Sequence, residues 1–253
     1  MWYNLQLIQL LEELAANSWP AQIQQTLGSW RLRANQGVTK RANSVYTSGP
    51  IPGYRGWIEM VEDFYTRQGI PPCFCVTEAS PPELDEILES REYRKIFECF
   101  VMIATCKEVM KCVGHDERFT CEFNDHADSQ WIQDFMRLEG FRADSYEGYR
   151  QIFSAIGPQK VFVRLRQNGE LIGLGTAVVE RGWAGLSNII VSSEHRGKGA
   201  ATALLRLLTE WAYENDARQM YLQVLKENQP AISLYEKLGF VPFAQYHYRI
   251  LET

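Results

Sequence analysis

A nearly continuous apolar run, Leu186 to Val191, leads directly into the turn Ser192-Ser-Glu-His-Arg-Gly-Lys-Gly199, and a segment with an apolar face at Leu204, Leu205, Leu208 and Trp211 follows. Strand, glycine-containing turn and helix are the expected elements, and a strand this apolar belongs near the centre of a sheet. The arrangement also constrains chemistry. The first turn of a helix leaves N–H groups without intrahelical partners, and the helix dipole favours an anion there. Gly197 and Gly199 allow a ligand to approach the backbone, and Arg196 and Lys198 add positive charge to a chain with 26 basic against 31 acidic side chains. A pyrophosphate is the natural occupant. Taken bare, the same residues would also make an ordinary structural turn. They form neither a P-loop, since no Ser or Thr follows Lys198, nor the dinucleotide fingerprint, which needs a further glycine.

The surrounding pattern predicts an α/β fold with a mixed sheet and flanking helices. In the second half, strands are expected at Phe119–Phe123, Lys160–Arg166, Leu171–Val179, Leu186–Val191, Met220–Leu225 and Phe243–Ile250. Asn168-Gly169 marks a type I′ hairpin between the second and third of these. Helices are expected from Gln130, through Tyr146–Phe153, from Gly199 to Glu214, and from Pro230 to Leu238. The first half reads as an opening amphipathic helix (Leu5, Ile8, Leu11, Leu14), short strands at Trp30–Arg33 and Ser44–Tyr46, and a helix through Trp57–Phe64. Then follow a strand at Cys73–Thr77, a helix after Pro81-Pro82, and a buried strand at Ile96–Ala104 with Glu108–Lys111 as its possible partner. The apolar pattern lapses at Gly114-His115-Asp116-Glu117, which divides the chain into 1–117 and 118–253.

A net charge of −5 argues against nucleic acid as a partner. No run reaches the roughly 18 apolar residues of a membrane span, and Glu12 and Glu13 interrupt the N-terminal apolar stretch, so a secretory leader is not expected. The expected setting is cytoplasmic, as a monomer or homodimer. The six cysteines, Cys73, Cys75, Cys99, Cys106, Cys112 and Cys121, lack paired Cys-x-x-Cys spacing, so no metal is expected and they read as small core side chains.

Two spaced motifs carry a family resemblance. Arg196, Gly199 and Ala201 match the acetyl-CoA loop of the GCN5-related N-acetyltransferases (GNAT), and Asn228-Gln-Pro-Ala231-Ile-Ser-Leu-Tyr235-Glu-Lys-Leu-Gly239-Phe240 resembles the family's second signature. The resemblance covers residues 118–253 and implies the GNAT acyl-CoA N-acyltransferase fold with acetyl-CoA as co-substrate. It further implies that Ile189, Ile190 and Val191 pair with the pantetheine arm, and that Arg196, Gly197, Lys198, Gly199, Ala200 and Ala201 hold the pyrophosphate. Asn228 would bond the cofactor arm, and Tyr235 would protonate the departing thiolate. The positions that carry a general-base glutamate in some members fall at Gly185 and Gln223, and neither is a carboxylate. The amine's proton would then leave through ordered water, through Ser187, Asn188 or Glu180, or not at all if the amine binds neutral.

His195 reads as a turn histidine or a phosphate contact, and Tyr248 or Arg249 as a possible substrate contact on the last strand. The first half resembles a degenerate GNAT-like repeat, in which Leu88 stands at the tyrosine position and Thr47-Ser-Gly-Pro-Ile-Pro52 at the loop. Its prolines remove N–H donors, so acetyl-CoA is not expected there. Trp30-Arg-Leu-Arg33 and Thr39–Ser44 could line an acceptor pocket between the two halves or form a hairpin with solvated basic residues. The expected activity is acetyl transfer to the primary amine of a small molecule by direct attack. The alternatives are a peptide or protein N-terminus as acceptor, and a non-catalytic acyl-CoA-binding module.

Overall fold

In the computed structural model the described residues are 2–112, 114 and 116–252, with only the backbone for Trp2 and Tyr3. The chain divides into two compact units, residues 1–100, 225–227 and 244–253 in one and 101–224 and 228–243 in the other. This division differs from the expected one at 117/118. The first crossing falls inside a strand, and the C-terminal strand belongs with the N-terminal unit because it pairs there. The polar connector around Gly114 includes Val113 and His115, which lie outside the described residues.

The first unit contains α1 (Trp2–Ser18), β1 (Ile23–Leu27), β2 (Trp30–Ala34), β3 (Val45–Tyr46), α2 (Trp57–Arg67), β4 (Cys73–Thr77), α3 (Leu84–Ser90) and the first part of β5 (Arg94–Thr105). β1, β2 and β3 pair antiparallel and β3 pairs parallel with β4. The end of the C-terminal strand adds antiparallel to β4, with Ile250 opposite Cys73. Trp30, Trp57, Phe74 and Tyr93 fill the core edge-to-face, contacts worth roughly 0.5–1.5 kcal/mol each beyond their burial.

The paired basic motif of this half is structural in most of its members. Buried Arg33 donates to the carbonyls of Arg41, Ala16 and Trp19, and stacks 4.6 Å from the Tyr46 ring. Asn43 accepts from the backbone N–H of Asn35 and Gly37 and donates to the carbonyls of Asn35 and Thr39. These bonds lock a hairpin whose polar groups would otherwise be buried without partners. Arg249 is likewise buried, donating to Asp85 (2.8 Å) and to the Tyr93 carbonyl (3.0 Å). Tyr248 is buried beside it, so both serve the core of this unit. The Arg249 guanidinium and His247 hold the Asp85 carboxyl down at about 2.

One group in this unit is set against stability. Burial raises Glu12 on α1 from 4.5 to about 7, opposed by a hydrogen bond with Thr77 and the charge of Arg31, while Glu13 raises it further. Because the folded value exceeds the unfolded one, the folded state keeps a proton that the unfolded state has lost between these limits. The contribution therefore favours folding at low pH and is lost as pH rises from about 4.5 through about 7. Melting temperatures of wild type and Glu12→Gln across pH 4–8 should converge at the acidic end and separate in favour of the variant as pH rises. A constant difference would assign Glu12 no such role.

The second unit contains α4 (Cys106–Cys112), β6 (Thr120–Asn124), α5 (Ser129–Glu139), α6 (Tyr146–Ser154), β7 (Gln159–Gln167), β8 (Glu170–Glu180), β9 (Trp183–Val191), α7 (Ala200–Glu214), β10 (Gln219–Leu225) and α8 (Gln229–Lys237). The chain then enters β11 (Val241–Ile250). β6 to β9 form an antiparallel series, and β9 pairs parallel with β10. Trp131, Phe135, Tyr149, Phe153 and Phe162 pack together between α5, α6 and the sheet. Asn168 and Gly169 both have positive φ, as a type I′ turn requires.

Glu108–Lys111 is helical rather than a strand. Thr105 Oγ1 accepts from the Glu108 N–H while the Glu108 carboxylate accepts from the Thr105 N–H, a reciprocal capping box that starts α4. Strand β1 has mostly exposed residues and no apolar alternation, so the pattern gave no sign of it. Five of the six cysteines have thiols raised by burial, to about 12 at Cys73 and about 11 at Cys106, consistent with inert packing residues. Among the described residues no helix is long and apolar enough to cross a membrane, and no group of three metal-ligating side chains occurs.

The two units share a local order. In each, a strand leads through a loop to a helix that starts at a left-handed glycine, Gly56 or Gly199, and a parallel strand and second helix follow. The second helices end alike. Tyr93 N–H donates to the Leu88 carbonyl and Phe240 N–H to the Tyr235 carbonyl, both at 3.0 Å, across left-handed Glu92 and Gly239.

Candidate active site

The site in the second unit begins where two parallel strands part. β9 and β10 pair from Trp183–Gln219 to Leu186–Leu222, and the pairing stops there although β9 continues to Val191. A bulge causes the separation. Thr176 faces Ser187 and Leu174 faces Ile190, so Asn188 and Ile189 together oppose Gly175, which bends the strand. Asn188 takes a left-handed φ of 54° and its amide donates to Thr176 Oγ1 at 3.1 Å. Gly175 opposite the bulge leaves room for α7, since a β-carbon there would lie 2.8 Å from a methyl of Leu208 and force that side chain to shift.

Backbone polarity follows from the pleat. Ser192 N–H donates to the Ile172 carbonyl and Ile190 faces Leu174, so the alternation turns the N–H and C=O of Ile189 and Val191 to the open edge. That edge offers hydrogen-bonding groups to an extended ligand in the manner of an added strand. Ile190, by contrast, spends its backbone groups on β8 and its side chain is buried.

Beyond Val191 the chain makes a 3₁₀ turn, Ser193–His195, and reaches α7 through Arg196, Gly197, Lys198 and Gly199. Gly197 and Gly199 have φ of 73° and 92°, in the region that favours glycine. Gly199 is the N-cap and has no side chain to satisfy the first N–H groups of α7, which leaves those of Ala200 and Ala201 to an external anion. Arg196, Gly197 and Lys198 are exposed on this loop. His195 Nδ1 lies 2.8 Å from Ser192 Oγ, which makes it a tie within the turn.

Arg118 lies against this loop, a neighbour that sequence reasoning missed. Its Nη2 lies 3.4 Å from the Lys198 carbonyl and would meet a β-carbon on Gly199 at 3.3 Å, while Asp116 accepts from it at 2.6 Å. Nothing in the local pattern marks it, because only the fold brings residue 118 to residue 198.

Asn228 caps α8, its Oδ1 accepting from the Ala231 N–H at 3.3 Å. Pro230 at the helix start forgoes an N–H that would be unpaired there. Tyr235, about two turns beyond the cap, is buried with its ring 5.9 Å from Phe240.

The absence of a carboxylate at position 185 has a steric reason. Tyr221 pairs with Gly185 across β9 and β10, and a β-carbon on Gly185 would lie 2.5 Å from the Tyr221 hydroxyl. Gly185→Ala is therefore expected to destabilise the chain by about 1–3 kcal/mol, and Gly185→Glu by more, without gaining a base. Equal melting of Gly185→Ala and wild type would contradict this packing. Gln223 is half-buried on β10. Ser187 and Asn188 lie at the bulge, whereas Glu180 sits at the opposite end of the β8–β9 hairpin, opposite Trp183, and so is removed from the candidates for a proton relay.

A family model described as "Probable histone acetyltransferase Rv0428c C-terminal" matches residues 6–250. The chain is 48% identical to the uncharacterised N-acetyltransferase YobR of Bacillus subtilis over 96% of its length and 98% of the relative's. Among solved structures it is similar to a GCN5-related N-acetyltransferase from Kribbella flavida, with a TM-score of 0.71 at 13% identity over 96% of this chain and 95% of that one. It is also similar to a tandem GNAT protein from the clavulanic acid biosynthesis pathway, with a TM-score of 0.64 at 16% identity over 79% and 71% of the two chains.

Proposed function

Because the chain belongs to the GCN5-related N-acetyltransferases, we propose that its second unit transfers the acetyl group of acetyl-CoA to the primary amine of a small molecule by direct attack. The observation that carries this reading is the parting of β9 and β10 beside a glycine-capped helix. One edge offers strand-like hydrogen bonds and the other a cradle for two phosphates.

In this reading the open-edge groups of Ile189 and Val191 hold the pantetheine arm. One of their N–H groups donates to the thioester oxygen, where negative charge grows as the amine attacks. Ile190 contributes through its buried side chain, which fixes the strand. Arg196, Gly197, Lys198, Gly199, Ala200 and Ala201 bind the pyrophosphate, with Arg118 adding a second guanidinium. Asn228 positions the cofactor arm through the start of α8. As the C–N bond forms and the C–S bond breaks, the Tyr235 hydroxyl gives its proton to sulfur. The amine's surplus proton passes to water and restores the phenol, so the balance closes without a protein carboxylate. A water relay is the preferred route for that proton, and no residue is assigned as general base.

The first unit is, in this reading, a degenerate repeat. Leu88 stands where Tyr235 stands, and the loop Thr47–Pro52 carries prolines in place of the phosphate cradle. We place the protein in the cytoplasm and assign it no metal.

The deciding experiment is release of CoA thiol from acetyl-CoA in the presence of polyamines and aminoglycoside-type amines, of a histone-tail peptide, and of a peptide with a free N-terminus. Turnover with the small amines supports the proposal. Turnover confined to the peptides moves the acceptor to protein, and acetyl-CoA binding without turnover on any amine leaves a binding module.

A further inference from the structure

Residues of α1, β2 and the end of β3 line a half-open pocket of about 340 Å³ wholly within the first unit. Its charged lining is Glu12 and Glu13 of α1 and Arg31 of β2, with Tyr46, Ser29 and Ser48 supplying hydroxyls. No step of acetyl transfer uses these residues. Arg31, a further member of the paired basic motif, lines this space. Its guanidinium lies 5.8 Å from the Tyr46 ring, which holds the charge at the cavity.

Glu12 is the unusual member. Its Oε1 is fully buried and has no hydrogen-bond partner among the described residues. A buried carboxyl oxygen without a donor weakens a fold, so packing does not account for it. The groups facing it are Thr77 of β4, Arg31 of β2, and Glu13 on its own helix, with Tyr46 of β3 and the Cys75 thiol of β4 also within electrostatic reach. The terminal torsion of a glutamate is soft, so a donor entering the cavity can draw this oxygen toward it.

Two carboxyls and one guanidinium around a space of this size are complementary to a ligand carrying both charges. We propose that the cavity is a binding site for a free amino acid, whose ammonium group is held by Glu12 and Glu13 and whose carboxylate is held by Arg31. The hydroxyls of Tyr46, Ser29 and Ser48 complete the polar shell around the two ends. The site lies apart from the residues assigned to acetyl transfer, and its test does not depend on that activity.

The test uses the full chain. Each of the twenty L-amino acids is screened at 5 mM by thermal shift at pH 7, and the best is followed by calorimetry. Binding is expected for at least one, and the Glu12→Gln and Arg31→Gln variants should each weaken it at least tenfold. The N-acetyl derivative, which lacks the ammonium, and the methyl ester, which lacks the carboxylate, should lose binding to the same extent on the wild-type protein. These derivatives keep the test valid if a variant folds poorly. An ammonium beside Glu12 favours its ionised form, so binding at pH 7 should release protons, seen as a heat that depends on the buffer's ionisation enthalpy and absent in Glu12→Gln. No binding by any amino acid, or binding that survives either substitution or either derivative, overturns the proposal.

Discussion

Replacing Gly199 with tryptophan is expected to lower acetyl-CoA affinity at least about a hundredfold. Charge-assisted hydrogen bonds are worth about 1.5–3 kcal/mol each, and a side chain at the N-cap of α7 would bar a pyrophosphate from two or more of them. Two effects are combined in this variant and a control separates them. The left-handed φ of 92° disfavours any side chain, at about 1–2 kcal/mol, so Gly199→Ala reports the backbone strain together with the close approach of its β-carbon to Arg118, without the bulk of the indole. α7 remains anchored by Leu204, Leu205 and Leu208, all fully buried, so the variant should fold. Calorimetry of acetyl-CoA with wild type and both variants is the measurement. Affinity unchanged in Gly199→Trp would remove the loop from the cofactor site.

For Tyr235→Phe the expected result is a fall in kcat of tenfold or more, with acetyl-CoA affinity within about twofold of wild type. A positioned acid contributes about 10² to 10⁴ in rate, of which water can replace a part. The substitution is suited to the question because the ring is buried against Phe240 and phenylalanine keeps that packing. Loss of the hydroxyl alone then changes a step made only in the transition state, which lowers kcat and kcat/KM together. Equal turnover would take Tyr235 out of its role, and a rise in KM at constant kcat would make it a binding residue.

Much of the local geometry around the proposed cofactor site was legible because it is set by near neighbours in the chain. Gly199, Ala201, Asn228 and Tyr235 lie on two short stretches where a turn, a cap and a helix face are decided by residues within a few positions of one another. The hairpin at Asn168-Gly169 was legible for the same reason, since a type I′ turn needs two left-handed residues in sequence. The capping box at Thr105 and Glu108 is equally local, yet the pattern around it reads as a strand, and the helix emerges only in the structure. Other features have no local signature. Arg118 reaches the loop only through the fold. The bulge at Asn188 and Ile189 depends on Gly175 in another strand. Tyr221 explains Gly185 only once β9 and β10 are in register.

The strand–turn–helix segment, the family and the order of nearly every element can be read from local pattern, because hydrophobic period, glycine positions and capping residues act over a few residues. The tertiary fold sets which cations are spent on packing. It buried Arg33 and Arg249 on carbonyls and a carboxylate, left Arg31 and Glu12 at a cavity, and joined the last strand to β4 of the first unit. The physical reason is that burial and pairing are set by contacts between residues distant in the chain, and the worth of a charge depends on what surrounds it.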